Sequence, residues 1–292
     1  MSLFQEYIQP DTIEEALNSL SNAAGTVAVI AGGTDLLLDI RQGRHNPVDQ
    51  LIDVSGITEM QEIALDGEYI YLGAAVTHKQ IISNPLLGEH AQCVVEGCGL
   101  IGGPQVRNVA TIGGNVSHGL PAGDGTISLL ALDTEVQIAG LDGLRCEPLI
   151  DIFTGPGEVT FDREHELIVG FRFAKKGKLE ASAFHRVMRP QGVAIAILNM
   201  AGWVKLDEDD RLESVRVSCG PAGPKPFRAK KTEEYLSGKI WDVAVHQKAI
   251  EILSGEVSLR TSAHRATKEY RHKLLPVLLQ KVLDRAVERA KL

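Results

Sequence analysis

Hydrophobic residues recur along the chain with two periods, and the changes from one to the other mark its elements. After Thr12-Ile13-Glu14-Glu15, which reads as a capping box, Ile13, Ala16, Leu17 and Leu20 keep helical spacing and predict a short helix over 13–21. Val27–Ala31 is a short apolar run of the buried-strand kind, ended abruptly by Gly32-Gly33, and a second strand is expected over Gln50–Val54. Residues 61–76 read as a hairpin in which Asp66-Gly67 turns between Gln61–Leu65 and Tyr69–Leu72. Thr77-His78-Lys79-Gln80 is a further capping box and opens a short helix that Asn84-Pro85 stops. Ala91, Val94, Val95, Cys98 and Ile101 share one helical face, which predicts a helix over 89–101 ended by Gly102-Gly103-Pro104.

Beyond this point, strands are expected over Val109–Ile112, Glu135–Ala139 and Glu166–Phe173, with a helix over Thr126–Leu132. Lys175-Lys176-Gly177-Lys178 is charged and glycine-marked, and reads as a linker. The last third has a different texture. Val193–Leu206 and Leu212–Cys219 form a long strand pair about the acidic tip Asp207–Asp210, and helices follow over 230–237, 242–254 and 262–290. In the last of them Leu274, Leu275, Leu278, Val282, Leu283 and Ala286 make a core-facing stripe. The pattern describes a mixed α+β protein with a larger N-terminal domain and a smaller C-terminal one, without internal repeat.

Composition narrows the class. A chain of 292 residues with 44% apolar and 23% charged residues is long enough for about two globular domains. Its net charge of −8, without a basic block, argues against a nucleic-acid surface. The start Met1-Ser2-Leu3-Phe4-Gln5 has no signal-peptide pattern, and no apolar run approaches the ~18 residues that span a bilayer. Cys93, Cys98, Cys146 and Cys219 are too scattered for a disulfide framework, so a cytoplasmic location is expected. Cys93 and Cys98 have C-x₄-C spacing but lack a third nearby cysteine, and read as buried small hydrophobes; no metal site is expected.

Glycine is the outlier, at 29 residues, about 10% against a usual ~7%. Two units stand out: Val29-Ile30-Ala31-Gly32-Gly33-Thr34-Asp35-Leu36 and Ala110-Thr111-Ile112-Gly113-Gly114-Asn115. In each, an apolar run ends in a double glycine followed by a small polar side chain. Residues without a Cβ let backbone amides turn inward on an anion, so two such units facing each other could clamp a pyrophosphate without a lysine. Either unit alone reads more readily as an ordinary tight turn, and only their matched form points to ligand binding. Gly97-Cys98-Gly99-Leu100-Ile101-Gly102 spells G-x-G-x-x-G, but helical spacing precedes it and Gly103-Pro104 follows, which disfavours a Rossmann dehydrogenase. Asp124 lies where it could reach a ribose or flavin edge, and equally where it could cap the helix over 126–132.

Taken together, the motifs resemble those of a known family: the FAD-binding (medium) subunit of the molybdenum hydroxylases, the xanthine dehydrogenase and carbon monoxide dehydrogenase group. The resemblance is carried by Ala31–Leu36, Leu72-Gly73-Ala74-Ala75-Val76-Thr77, Pro104–Asn115, Cys219-Gly220-Pro221-Ala222-Gly223-Pro224-Lys225-Pro226 and Thr267–Arg271, and covers almost the whole chain. It implies a PCMH-type FAD-binding domain over 1–174, in subdomains of about 1–57 and 58–174, followed by a smaller α+β flavoprotein C-terminal domain over 179–290. It implies FAD held non-covalently between the subdomains, with Val29, Ile30, Ala31, Gly32, Gly33, Thr34, Asp35 and Leu36 and with Thr111, Ile112, Gly113, Gly114 and Asn115 on the phosphates and ribitol. Ile101 and Gly102 would stand beside the flavin, Asp124 near the ring or ribose edge, and Leu167 and Ile168 at the adenine. Family members often carry a lysine at the position of His185, a further cofactor-binding candidate, and an acid where Gly192-Val193 stand.

The implied role is electron transfer. A molybdopterin-containing large subunit would oxidise the substrate, a small subunit with 2Fe-2S iron–sulfur clusters would pass electrons on, and FAD would deliver them to an acceptor such as NAD or a quinone. No catalytic acid or base is expected in this chain. The alternatives are a self-contained PCMH-superfamily flavin oxidoreductase and, outside enzymes, an assembly module that has lost its cofactor; the intact glycine pairs speak against the latter.

Overall fold

The computed structural model of the protein describes residues 3–189 and 195–292; Gly192-Val193 and the expected beginning of the long strand at Val193 lie outside the described residues. The chain opens with β1 (Phe4–Ile8), α1 (Ile13–Ser21), β2 (Val27–Ile30), α2 (Leu36–Arg41) and β3 (Val48–Asp53). Thr12 Oγ1 accepts from the Glu15 amide at 3.1 Å, but Glu15 reaches back to the amide of Asp11 at 2.9 Å, one residue beyond the cap. The three strands form a sheet of order β1-β3-β2, parallel on both sides of β3. Neither β1 nor α2 is signalled by the hydrophobic pattern. β1 is an exposed edge strand at its three central positions, and α2 is only one and a half turns long.

The second lobe runs through β4 (Ile63–Asp66), β5 (Tyr69–Gly73), α3 (His78–Ser83), α4 (Pro85–His90), α5 (Gln92–Gly99), α6 (Pro104–Arg107), α7 (Ile112–Ser117), α8 (Asp124–Ala131), β6 (Glu135–Gly140), β7 (Gly143–Pro148), β8 (Phe153–Gly155), β9 (Glu158–Val159) and β10 (Leu167–Ala174). The β4–β5 hairpin turns at Asp66-Gly67 as expected, with Ile63 opposite Leu72 and Asp66 opposite Tyr69. It joins a sheet of order β4-β5-β10-β6-β7, with β10 in the middle. The Thr77 capping box forms in both directions. Asn84-Pro85 does more than stop a helix: Asn84 Oδ1 accepts from Leu87 at 3.1 Å and Pro85 takes the first position of α4. The expected strand over Val109–Ile112 is absent. Thr111 forms only an isolated bridge to Thr77, and Ile112 begins α7.

The C-terminal part comprises β11 (Glu180–Val187), β12 (Leu198–Leu206), β13 (Leu212–Gly220), β14 (Phe227–Arg228), α9 (Lys230–Leu236), α10 (Val243–Glu256) and α11 (Lys268–Ala290). The strands make an antiparallel sheet in that order. The Leu274–Ala286 stripe of α11 is buried against it. The helix expected from residue 262 begins at 268 because Thr267 caps it, its hydroxyl accepting from Tyr270 at 3.2 Å.

β11 went unread in the sequence, and it is the strand that ties the parts together. Its alternation sends Ala181 and Ala183 toward α11 and Phe184 into the core of the second lobe, beside Ala201 and Trp203. α5 covers the free edge of β11: Cys93 N donates to Ser182 Oγ at 3.1 Å, and Glu96 accepts from Phe184 N at 2.8 Å while pairing with Arg285 and Arg289. Burial in α5 pushes the Cys93 thiol up to about 12. Because Phe184 is shared between sheet and lobe, Phe184→Ala is expected to destabilise the chain by about 3–5 kcal/mol in denaturant unfolding. A loss below about 1 kcal/mol would show that the two parts are not packed as one unit.

Candidate cofactor-binding site

The two glycine units, distant in sequence, meet in space. A Cβ on Gly32 would stand 2.2 Å from the carbonyl oxygen of Val109 and 2.7 Å from Ala110 Cα, so the turn after β2 lies directly on the backbone that leads into α7. A second link runs from the other side of the same turn: Asp35 Oδ2 lies 3.8 Å from Nδ1 of His118, the residue that ends α7. Gly33 takes φ +66°, the left-handed turn that brings the chain from β2 into α2. Val29 packs toward the large core while Ile30 and Leu36 pack within the first sheet's own cluster, so the turn is anchored on both flanks.

The two units do not present the same chemistry, which corrects the matched clamp that the sequence suggested. In the second unit the amides are already engaged. Ile112 N donates to Val76 O (3.0 Å), Gly113 N to Ala74 O (2.8 Å), Gly114 N to Thr111 Oγ1 (3.1 Å) and Asn115 N to Thr111 O (3.0 Å). In the first unit, none of the amides of Gly32, Gly33, Thr34, Asp35 or Leu36 donates to an acceptor among the described residues, and Asp35 at the start of α2 makes no side-chain cap. Consecutive amides without an internal acceptor at a helix start are the kind of backbone that can hold an anion. The second unit contributes shape instead. Gly114 is exposed, and a Cβ on it would meet Thr111 Oγ1 at 3.2 Å, a close approach to the hydroxyl that caps α7.

The other candidates separate. Ile101 and Gly102 form the turn after α5, with both carbonyls held by Arg107 Nη1 at 3.0 and 2.7 Å. Asn115 faces α8, its Oδ1 accepting from Thr126 N at 3.0 Å and Thr126 Oγ1 at 3.1 Å; it thereby serves the helix start that Asp124 was expected to cap. Asp124 is the first residue of α8, buried, with Oδ2 paired to Arg186 and Oδ1 accepting from Asn199 Nδ2 at 2.6 Å. Its carboxylate thus joins the second lobe to β11 and β12. Burial pushes the Asp124 carboxyl up, opposed by Arg186 and Asn199. Leu167 and Ile168 are buried in β10 opposite Ala139 and Ile138. His185 is turned away from this group: β11 presents Phe184 and Arg186 to the lobe, and alternation directs His185 toward α11, where Nε2 lies 3.5 Å from Lys281 Nζ.

Several contributors carried no readable signal. Arg186, which also donates to Leu100 O, lies on the strand that went unread. His78 donates its amide to Ala110 O at 3.0 Å and has its Nδ1 buried with no partner among the described residues; burial lowers it to about 4, so the ring is neutral at pH 7. The Asp35 carboxylate 3.8 Å away holds His118 above the ordinary imidazole range, and the imidazole holds the Asp35 carboxyl below its own range. Among the described residues, no group of three or more His, Cys, Asp or Glu is placed to hold a metal ion.

Comparison with known proteins gives consistent relations along the chain. The family model for the FAD binding domain in molybdopterin dehydrogenase matches residues 2–174, and that for the CO dehydrogenase flavoprotein C-terminal domain matches residues 182–286. The chain is 30% identical over 258 residues to the nicotinate dehydrogenase FAD-subunit of Eubacterium barkeri, covering 86% of each. It is 29% identical to the xanthine dehydrogenase FAD-binding subunit of Escherichia coli O157:H7, covering 98% of this chain and 97% of the other. Its fold is that of a chain of carbon monoxide dehydrogenase from Hydrogenophaga pseudoflava, with a TM-score of 0.91 at 24% identity over 97% of each chain.

Two outcomes follow from this geometry. Because Asp124 and Arg186 side chains are only 6% and 5% exposed, Asp124→Ala strands a buried guanidinium and is expected to cost about 3–5 kcal/mol in denaturant unfolding. The Asp35–His118 link favours protonated His118, so it is complete below the unperturbed imidazole value of about 6.5 and is lost as pH rises through the raised folded value. A proton NMR titration is expected to place His118 above about 6.5, and Asp35→Asn to return it there or lower. An unshifted His118 in the native chain would remove the link.

Proposed function

The chain belongs to the family of FAD-binding medium subunits of molybdenum hydroxylases, the xanthine dehydrogenase and carbon monoxide dehydrogenase group, and is an FAD-binding oxidoreductase subunit; on that premise we propose that it is the electron-transfer subunit of a larger complex. In this reading a partner with a molybdopterin site oxidises the substrate with water, and a small partner with 2Fe-2S clusters passes single electrons to this chain. They leave toward an acceptor such as NAD or a quinone. Cytoplasmic placement belongs to the same reading; among the described residues no helix is long and apolar enough to cross a membrane.

The observation that carries the reading is the pairing of unlike glycine units. The free amides of Gly32–Leu36 would hold the pyrophosphate, with the short α2 behind them and Thr34 at hand as a hydroxyl donor. Gly114, exposed and without a side chain, would let the dinucleotide pass close to α7. Ile101 and Gly102, fixed through Arg107, would form the wall beside the ring system, and Leu167 and Ile168 the apolar end of the groove. When bound, FAD supplies the exchange between one-electron and two-electron transfer, and the chain supplies binding, orientation and exclusion of water. Residues 1–174, in lobes of about 1–57 and 58–174, are then the flavin domain, and 179–290 a cover and docking domain. Asp124 and Arg186 orient that cover over the groove.

The test is retention of flavin. The purified chain reconstituted with FAD is expected to keep the absorbance of bound flavin near about 450 nm. Gly114→Val is expected to weaken FAD by about 100-fold or more, with retained helical circular dichroism separating loss of binding from loss of the fold. Unchanged retention in that variant would refute the groove. Substrate turnover by the isolated chain would refute the electron-transfer role in favour of a self-contained oxidoreductase.

A further inference from the structure

A cavity of about 160 Å³ opens where the second lobe meets β11 and the end of α11, and no residue of either glycine unit lines it. Glu89 and His90 enter it from the end of α4, and Gln92 from the start of α5. Lys176 enters from the segment between β10 and β11, Ser182 from β11 and Arg289 from the last turn of α11. Several of these groups lack partners. His90 Nδ1 is buried and has none among the described residues, although its ring lines an open space. The Gln92 amide, the first of α5, donates to no acceptor among the described residues, and Ala91 before it supplies no side-chain cap. Lys175 pairs with Glu68, whereas Lys176 pairs with no carboxylate among the described residues. Arg289 is partly engaged: Nη1 donates to Ser182 O at 2.9 Å, and the guanidinium shares Glu96 with Arg285. The one carboxylate side chain on the wall, Glu89, is exposed and stands 3.9 Å from His90 Nε2.

A buried polar atom without a partner is costly, and a polar cavity beside it gives a ligand the means to supply one. We propose that this cavity binds inorganic phosphate. Its room equals about five water molecules at ~30 Å³ each, enough for one such ion with a water or two. A nucleotide needs a cleft of ~300 Å³ or more and does not fit. Oxygens of the ion accept from His90 Nδ1–H, the Gln92 amide, Lys176 and the unengaged N–H groups of Arg289. The charge on the wall is positive in excess, with Lys176 and Arg289 against Glu89. Glu89 also has a use. Inorganic phosphate keeps at least one proton near pH 7 and sulfate keeps none, and an ionised carboxylate can only accept. Several donors beside one acceptor therefore favour phosphate over sulfate and over a carboxylate ligand. Bound there, the ion ties the end of α4 and the start of α5 to the last turn of α11. Glu96 already joins the same elements through Arg285 and Arg289, so the ion braces a seam between the second lobe and the C-terminal part.

The experiment uses the full chain loaded with FAD, so that free phosphate is not drawn to the amides of Gly32–Leu36. It follows thermal unfolding and calorimetric titration in phosphate, sulfate and chloride at matched ionic strength. A saturable rise in Tm is expected, larger in phosphate than in sulfate and absent in chloride. Lys176→Gln changes an exposed side chain without an ion pair and keeps the fold, and it is expected to weaken phosphate by about tenfold. His90→Phe is expected to weaken it as much, and Glu89→Gln to narrow the gap between phosphate and sulfate. In the native chain, the imidazole nitrogen resonances of His90 are expected to move with phosphate along the calorimetric saturation curve. Equal Tm in the three salts, an undiminished phosphate response in Lys176→Gln, or unmoved His90 resonances overturns the proposal. Equal binding of sulfate and phosphate overturns the choice of phosphate. If the chain fails to retain FAD, the comparison of native chain and Lys176→Gln without flavin still decides the site.

Discussion

The placing of the first sheet against α7 depends on one backbone contact in which no side chain fits. Where the turn after β2 crosses Val109 and Ala110, Gly32 leaves no room for a Cβ, and the close approach sets the spacing between the first sheet and α7. Thr111, Gly114 and Asn115 take their places from that contact, since α7 begins immediately after it. The Asp35–His118 pair then bridges the same two segments at the exposed rim. A larger residue at position 32 would push the turn after β2 away from the backbone that leads into α7, even with every polar group retained.

Within that frame the two segments differ in how their backbone amides are satisfied. α7 is saturated: its first amides bond to Val76, Ala74 and Thr111, which makes it a rigid wall. The start of α2 is the reverse, a run of amides without internal acceptors and without a side-chain cap. Such a helix start is unfavourable alone and is stabilised by whatever anion it binds. The C-terminal sheet closes against this arrangement through buried, directional contacts. Asp124 with Arg186 and Asn199, Ser218 Oγ with Ile127 O at 2.6 Å, and Arg228 with Leu130 O at 3.0 Å all cross the boundary. Polar contacts of this kind fix orientation, because a small rotation would leave buried charges unpaired.

Much of the architecture was legible because its signals are local. The capped helix at Ile13–Ser21, the Asp66-Gly67 hairpin and the Leu274–Ala286 stripe follow from spacing and turn chemistry within a few residues, and each formed where the pattern placed it. The misreadings have an equally local origin. Val109–Ile112 has the apolar character of a strand, but Thr111 found a helix to cap rather than a neighbour to pair along its length. β11 mixes small, aromatic and charged residues because its two faces and its edge meet three different surroundings, so no single alternation marks it.

The sequence by itself determined which glycines lack a purely local reason, the family that the chain belongs to, and the helices and hairpins whose stabilising contacts lie within a turn or two. Tertiary structure decided what those glycines do. Whether an amide is free or engaged depends on acceptors such as Val76 O and Ala74 O, dozens of residues away along the chain. Whether Asp124 faces a ligand or a guanidinium depends on where β11 docks. These are properties of long-range pairing, and hydrogen-bond satisfaction can be assigned only once both partners have positions.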